Sequence, residues 1–335
     1  MVESNTTVYG DEDADLSVLD GRTVAIIGYG NQGRAQGLNL RDSGVKDVIV
    51  GNREDASWEQ AEDDGFPVYT MAKATARADV VFLLVPDEVQ PEVFREEIEP
   101  NLAAGDVLNF ASGYNVTYGF IEPPADVDVV MVAPRMIGTT VRELYEEDDG
   151  APALLAVEQD ASGEARDVAL ALAKGIGSTR SGVIESDFES ETVTDLMTEQ
   201  ALLPVFINAL RAKYEAEVEA GVAPETVLME QYLSQEMSHI WEKAATQGLI
   251  EQLSLHSQTS QYGQLRFSQS FDDGPIREFM DERLREIRNG RFATEWTAEQ
   301  QAGYPQLDRL YDIFREEEQF QIEQETIDRF DLREE

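Results

Sequence analysis

Short apolar runs rich in β-branched residues recur through the first half of the chain: TVAIIG (23–28), VIVG (48–51), VVFLLV (80–85), VLNFA (107–111), VVMVAP (129–134) and ALLAV (153–157). Between several of them lie stretches of helical character, such as GRAQGLNLRDSG and ASGEARDVALALAKGIG. Strands of this length alternating with helices predict βαβ units and a mainly parallel, doubly wound sheet. After about Ser186 the texture changes. The segments ESETVTDLMTEQALLPVFINALRAKYEAEVEAG, PETVLMEQYLSQEMSHIWEKAATQG and PIREFMDERLREIRNG are helical in period, and no strand is evident. Gly221, Gly248 and Gly290 stand where helix ends belong. The pattern therefore predicts an acidic N-terminal tail over 1–18, an α/β domain over 19–186 and an all-α domain over 187–335. No internal repeat or low-complexity tract interrupts it.

Charge narrows the classes of partner. The 335 residues carry 26 basic and 67 acidic side chains, a net charge of −41, with 42% apolar residues as in an ordinary folded protein. Phosphate backbones and anionic lipid surfaces both require basic patches, so neither nucleic acid nor a membrane surface is an expected partner. Lysine occurs only at Lys46, Lys73, Lys174, Lys213 and Lys243. An acid-rich, lysine-poor surface suits a protein that stays dispersed at high salt, where repulsion is screened over a few ångströms. Cysteine is absent, which excludes disulfides and thiolate metal sites. No apolar run approaches the roughly 20 residues that span a bilayer. The stretch MVESNTTVYGDEDADLS has no apolar segment of signal-peptide type and reads as a solvated tail or an outer strand. A cytoplasmic protein of a salt-loving organism is the expectation.

The first run breaks into Gly28, Gly30 and Gly33, the pattern G-x-G-x-x-G between a strand and a helix. In a Rossmann-type domain the first glycine permits the tight turn and the second lets the backbone approach a pyrophosphate. The third allows helix to pack closely on strand, with the helix N-terminus facing the phosphates. The end of the second run, GNREDASW (51–58), sends mixed signals on NADPH against NADH. Arg53 can stack on adenine or meet a 2′-phosphate, and Ser57 can add a hydrogen bond. Glu54 and Asp55 would repel a phosphate but accept from free ribose hydroxyls.

Two carboxylates stand out by context rather than spacing. Between Thr192 and Leu210 the only charged residues are Asp195 and Glu199, one helical turn apart among apolar neighbours. Burying both without a cation costs several kcal/mol, and a hard divalent ion such as Mg²⁺ resolves the cost because it takes carboxylate oxygens and retains water. Glu230 likewise sits among uncharged residues from Thr226 to Gln235.

Taken together, the chain resembles the ketol-acid reductoisomerase family in its short form with one helical domain. The carriers are IGYGNQGRAQGLNLRDSG (27–44), LLVPDEVQPEVF (83–94), FASGYN (110–115), VDVVMVAP (127–134), GVIESDFESETVTDLMTEQ (182–200) and NGRFATEWTAEQQAGYPQL (289–307). The resemblance implies NADPH or NADH and Mg²⁺ as cofactors, a small keto-acid substrate, a knotted helical domain and a homodimer. It implies cofactor contacts at Tyr29, Gly30, Asn31, Gln32, Arg53, Ser57, Asp87, Glu88, Val89, Gln90 and Gly138. It also implies metal ligands at Asp195, Glu199 and Glu230 and a substrate contact at Ser257.

The departures cluster where the chemistry would lie. The family's FAHGFN is FASGYN here, which puts Ser112 in place of histidine. Its APKGPGHTVR is APRMIGTTVR, with Arg135 in place of lysine. A further metal carboxylate should follow Glu230 by one turn, but Ser234 stands there. Glu236, two residues on, would be rotated by about 200° on a continuous helix. Alkyl migration needs two metals on the vicinal oxygens. Hydride transfer needs only a polarised carbonyl and a proton source, for which Asp195 and Glu199 with one metal, or Arg135 as a fixed cation, and water on Ser112 would serve. The expectation is an enzyme that reduces a small 2-keto acid with a doubtful isomerase step. The alternatives are an authentic ketol-acid reductoisomerase and a catalytically silent chain that binds the dinucleotide. His239 and His256 are expected to be structural.

Overall fold

The computed structural model describes residues 6–333. The chain divides into two compact units, Met1–Asp195 and Leu196–Glu335, one helix later than the change in sequence texture.

The first unit is built on a nine-stranded sheet of order β1-β9-β8-β7-β6-β5-β2-β3-β4. Its strands are β1 (Val8–Tyr9), β2 (Thr23–Ile27), β3 (Asp47–Gly51), β4 (Val68–Tyr69), β5 (Val80–Leu83), β6 (Val107–Phe110), β7 (Asp128–Pro134), β8 (Ala153–Gln159) and β9 (Val183–Glu185). All neighbours run parallel except β1 with β9 and β7 with β8. The helices are α1 (Asn31–Asp42), α2 (Ala56–Asp63), α3 (Met71–Thr75), α4 (Gln90–Val93), α5 (Tyr114–Thr117), α6 (Gly138–Glu146), α7 (Ala165–Gly175) and α8 (Phe188–Met197).

The central strands are apolar without alternation because both faces are covered. Val24, Ile26, Val80, Phe82, Val130 and Val132 enter one core. Their neighbours Ala25, Ile27, Val81, Leu83, Val129 and Met131 enter the other. Strands β4 and β9, at two and three residues, are too short to stand out as apolar runs.

Residues 1–5 lie outside the described residues, and over the rest the N-terminal segment takes the outer-strand form of its two expected readings rather than the solvated tail. Val8 and Tyr9 pair with Ile184 and Val183 as an edge strand, and Lys174 Nζ donates to the carbonyls of Asp11 and Ala14. Backbone pairing and a cation thus hold an acidic segment that composition alone would leave in solvent.

The second unit is helical among its described residues. After a π turn at Thr198–Leu202 come α9 (Leu203–Glu219), α10 (Pro224–Leu228), α11 (Glu236–Gln247), α12 (Gln258–Ser270), α13 (Gly274–Arg288), α14 (Arg291–Gln301), α15 (Pro305–Glu316) and α16 (Glu318–Arg329). Gly221, Gly248 and Gly290 all follow helix ends with positive φ. Tyr214, Val227 and Leu228 form a small core with Val218, Tyr232, Leu233 and Ile322 around it. Leu202, Leu203, Phe206 and Ile207 stay exposed, as do Leu310, Tyr311, Ile313 and Phe314. Among the described residues no helix is long and apolar enough to cross a membrane.

Candidate active site

The chain leaves β2 toward β3 and β4 on one side, then returns to β5, β6 and β7 on the other. The strand order therefore reverses between β2 and β5, and a crevice outside their carboxyl ends is where open α/β sheets hold ligands. The glycine turn follows β2, and the loop 84–90 follows β5. Three glycines do three different things there. Gly28 has φ +93°, and a Cβ on it would lie 2.7 Å from the Val85 backbone nitrogen. A Cβ on Gly33 would lie 1.9 Å from the Gly28 carbonyl oxygen, so that position joins helix to strand. Gly30 is different: it caps α1 without a side chain, and a Cβ there would meet nothing within 4 Å. The bare turn leaves the space that a pyrophosphate needs, and the first N–H groups of α1 face it. The residues present fit a dinucleotide.

The other expected cofactor positions are more varied. Tyr29 is buried, its N–H donates to Asn52 Oδ1 and its hydroxyl to Asp64 Oδ2. Its ring packs edge-on against Phe66, so the side chain serves the core rather than a ligand. Burial and the Asp64 carboxylate push the phenol above its ordinary range. Asn31 Oδ1 accepts from the Thr139 N–H, and a Cβ on Gly138 would lie 2.2 Å from the Asn31 carbonyl. Gly138 is thus required by the close approach of α6 to α1. Gln32 donates to the Met136 carbonyl. Gln90 is buried, donating to the Val85 carbonyl and Asp87 Oδ1 while accepting from Asn115, and it braces the loop that carries Asp87, Glu88 and Val89. Glu88 and Val89 are exposed.

At the end of β3, Asp55 accepts from the N–H groups of Ser57 and Trp58 and from Asn52 Nδ2. That carboxylate caps α2. Arg53 is 82% exposed, and its Nη2 stands 3.9 Å from Asp55. The ambiguity read from GNREDASW is reduced accordingly: Asp55 has a structural task, and Arg53 projects outward.

The chemistry expected at β6 and β7 meets at α8. The Ser112 hydroxyl accepts from the Tyr114 N–H at 3.3 Å. Arg135 follows β7, anchored through its own N–H to the Pro152 carbonyl. Its Nη1 donates to Glu191 Oε1 at 2.8 Å, and its Nη2 donates to Asp195 Oδ1. Glu191 also accepts from the Gly113 N–H at 2.7 Å and is 2% exposed. Gly113 has no room for a side chain there, because a Cβ would lie 2.4 Å from the Phe188 carbonyl. Burial raises the Glu191 carboxyl above the usual carboxylate range despite the opposing bonds from Gly113 and Arg135. For Arg135, desolvation is outweighed by Asp195 and Glu191, which hold the guanidinium charged.

Glu191 was missed from sequence. It precedes Asp195 by four residues, the spacing that places two side chains on one helix face, and it lies just outside the window that isolated Asp195 and Glu199.

This arrangement corrects the argument for a metal. The cation beside Asp195 is Arg135, and Asp195 is 42% exposed rather than buried. Among the described residues no group of three or more His, Cys, Asp or Glu side chains is arranged to hold a metal ion. With its Oδ1 taken by Arg135, Asp195 belongs to no such group. In the second unit, Glu199 lies in the π turn Thr198–Leu202 and Glu230 in another, Met229–Leu233, both exposed. Ser234 ends the second turn, and Gln235 has φ +62°, so the chain breaks before α11 starts at Glu236. The rotation assigned to Glu236 on a continuous helix therefore does not apply. Ser257 is exposed and caps α12 by accepting from Ser260. His239 contacts Glu242, and His256 contacts Gln252.

Residues 18–182 match the family model of the acetohydroxy acid isomeroreductase NADPH-binding domain, and residues 188–330 match that of the ketol-acid reductoisomerase C-terminal domain. The chain belongs to the ketol-acid reductoisomerase family. It is 48% identical over 319 residues to a ketol-acid reductoisomerase (NADP(+)) of Haloarcula marismortui, covering 95% of this chain and 90% of that one. A ketol-acid reductoisomerase (NADP(+)) of Methanocaldococcus jannaschii is 44% identical over 313 residues, covering 92% and 93%. The solved structure of an NADH-preferring ketol-acid reductoisomerase from an uncultured archaeon matches with a TM-score of 0.88 at 39% identity, covering 95% of this chain and 98% of that one. Membership makes this ketol-acid reductoisomerase family chain an oxidoreductase of NADPH or NADH.

Proposed function

We propose that this chain catalyses the ketol-acid reductoisomerase reaction of branched-chain amino-acid synthesis. An alkyl group migrates within an acetohydroxy acid, and the resulting 2-keto acid is reduced by NAD(P)H. The observation that carries this reading is identity of 44–48% to proteins named for that reaction, extending through both the cofactor-binding and the helical unit. It is favoured over the narrower expectation of reduction alone. In the reduction, Gly30 admits the pyrophosphate and the start of α1 faces it. A nicotinamide held there would supply hydride to the keto carbon, and the carbonyl oxygen would gain a proton. Ser112 stands at the carboxyl edge of β6, where a hydroxyl orders the water that supplies this proton. Arg135 presents its outer N–H groups to the substrate's oxygens. The enzyme is cytoplasmic and works as a homodimer, which the exposed apolar side chains of α9 and α15 support.

A second reading, reduction without migration, is favoured by the engagement of Arg135 with Asp195. The test supplies NADPH or NADH at high salt with 2-acetolactate or with the isomerised 3-hydroxy-3-methyl-2-ketobutyrate. Turnover of both supports the full reaction. Oxidation of cofactor by the second compound alone supports reduction only, and cofactor binding without any turnover defeats both.

A further inference from the structure

We propose that Arg135 is a built-in cation that competes with divalent metal for Asp195. The inference rests on the reading of Asp195 as a family metal position and goes beyond it to the residue that controls access. Three features make the guanidinium more than a passing surface partner. It bridges two carboxylates of α8 one turn apart, Glu191 and Asp195, with one N–H from each terminal nitrogen. Its inner partner is fully enclosed and held from the other side by the Gly113 N–H. Its own backbone is tied to Pro152, so the side chain starts from a fixed point at the end of β7.

A planar guanidinium satisfies two carboxylates at fixed directions, whereas Mg²⁺ demands near-octahedral oxygen coordination and surrenders its water reluctantly. A metal at Asp195 must therefore either share that carboxylate with a like charge or displace Arg135 from it. Displacement that also draws Nη1 off Glu191 leaves that buried carboxylate without its cation, which raises the cost further. The arrangement makes Arg135, besides its contact with substrate, the residue that sets the metal requirement. The loop 84–90, Ser112 and the glycine turn are untouched by it.

Mn²⁺ binding, followed by the loss of its free-ion electron paramagnetic resonance signal, tests the proposal without recourse to turnover. The full chain is compared with Arg135→Met and with the double variant Arg135→Met/Glu191→Gln, which removes the charge left buried by the first. Thermal melts verify that each is folded. Loss of one charge-assisted competitor tightens Mn²⁺ on the order of tenfold or more in the double variant. Adding Asp195→Asn abolishes the gain. Equal or weaker Mn²⁺ affinity in the folded double variant overturns the competition while leaving Asp195 as a ligand. An absence of Mn²⁺ binding in every form overturns the competition together with the metal reading of Asp195.

Discussion

Gly30→Ala and Gly33→Ala differ by three positions and separate cofactor binding from stability. At Gly33 the added methyl would lie 1.9 Å from the Gly28 carbonyl oxygen and 3.3 Å from Ile26 Cγ2. The nearest obstacle is backbone, which cannot swing aside, so the strand-to-helix junction must open by about 1 Å, an overpacking cost of about 1–3 kcal/mol or more. A unit of this size then melts roughly 3–10 °C lower. At Gly30 the backbone has φ −85°, which alanine adopts freely, and the methyl meets no protein atom within 4 Å. Replacing glycine by alanine at a helix cap costs about 0.5–1 kcal/mol, and the lower entropy of the unfolded chain returns about as much. Stability should therefore hold within about 0.5 kcal/mol.

Cofactor affinity should behave in the opposite way. The space that Gly30 leaves is where a pyrophosphate approaches the backbone, and one misplaced methyl there weakens binding by on the order of tenfold to hundredfold. Thermal melts and a fluorescence titration of NADPH and NADH, both in molar salt, measure the two quantities on the same samples. A Gly30→Ala chain that binds either cofactor as tightly as the parent refutes the placement of the pyrophosphate. A Gly33→Ala chain that melts with the parent refutes the packing argument.

Further outcomes follow from the same geometry. Asp64 accepts from Arg34 and from Tyr29, and the guanidinium bond above all holds its carboxyl below the ordinary value. Its stabilisation is complete above the unfolded pKa and is lost as pH falls through the folded one. Asp64→Asn should thus cost about 1 kcal/mol near neutrality, a gap that closes below about pH 4 in thermal melts. Arg53→Ala should weaken NADPH about tenfold while sparing NADH, read from paired fluorescence titrations, because only NADPH offers a 2′-phosphate to that exposed cation. Ile207→Asp should yield monomers by sedimentation velocity, since it places a charge within the exposed apolar stripe of α9. The parent should also dissociate on dilution from molar to about 0.1 M salt, as the Debye length grows from about 3 to 10 Å between two chains of like charge.

The two units differ in how far pattern alone describes them. In the first, continuous apolar runs mark strands covered on both faces, and the glycine spacing locates the turn because each glycine there answers a different steric demand. The short strands β4 and β9 escape notice because two or three residues carry no periodicity. The role of Arg135 escapes for another reason. Which cation faces Asp195 depends on β7 and α8 coming together across 60 residues of chain, and local spacing is silent on that. Glu191 was within reach, since its spacing from Asp195 is helical, but in a chain where one residue in five is acidic such spacing is common. Only its burial distinguishes it.

The helical unit poses a different problem, because its helices are legible while its core is not. An amphipathic helix is stable in water chiefly through burial of its apolar face. Here α9 and α15 carry such faces, and Phe206, Ile207, Tyr311 and Phe314 on them remain exposed. The enclosed cluster around Tyr214, Val227 and Leu228 is small for a unit of this length. A large apolar side chain contributes about 1.5–3 kcal/mol on going from fully exposed to fully buried, so covering the exposed 38–55% of these four would supply about 3–5 kcal/mol. That is a sizeable fraction of the stability of an ordinary domain. In the proposed homodimer a second copy covers these faces, and salt would screen the repulsion between two chains of net charge −41. On the proposed homodimer, the acidic surface and the exposed apolar stripes answer one requirement: charge keeps the chain dispersed, and association completes its helical core.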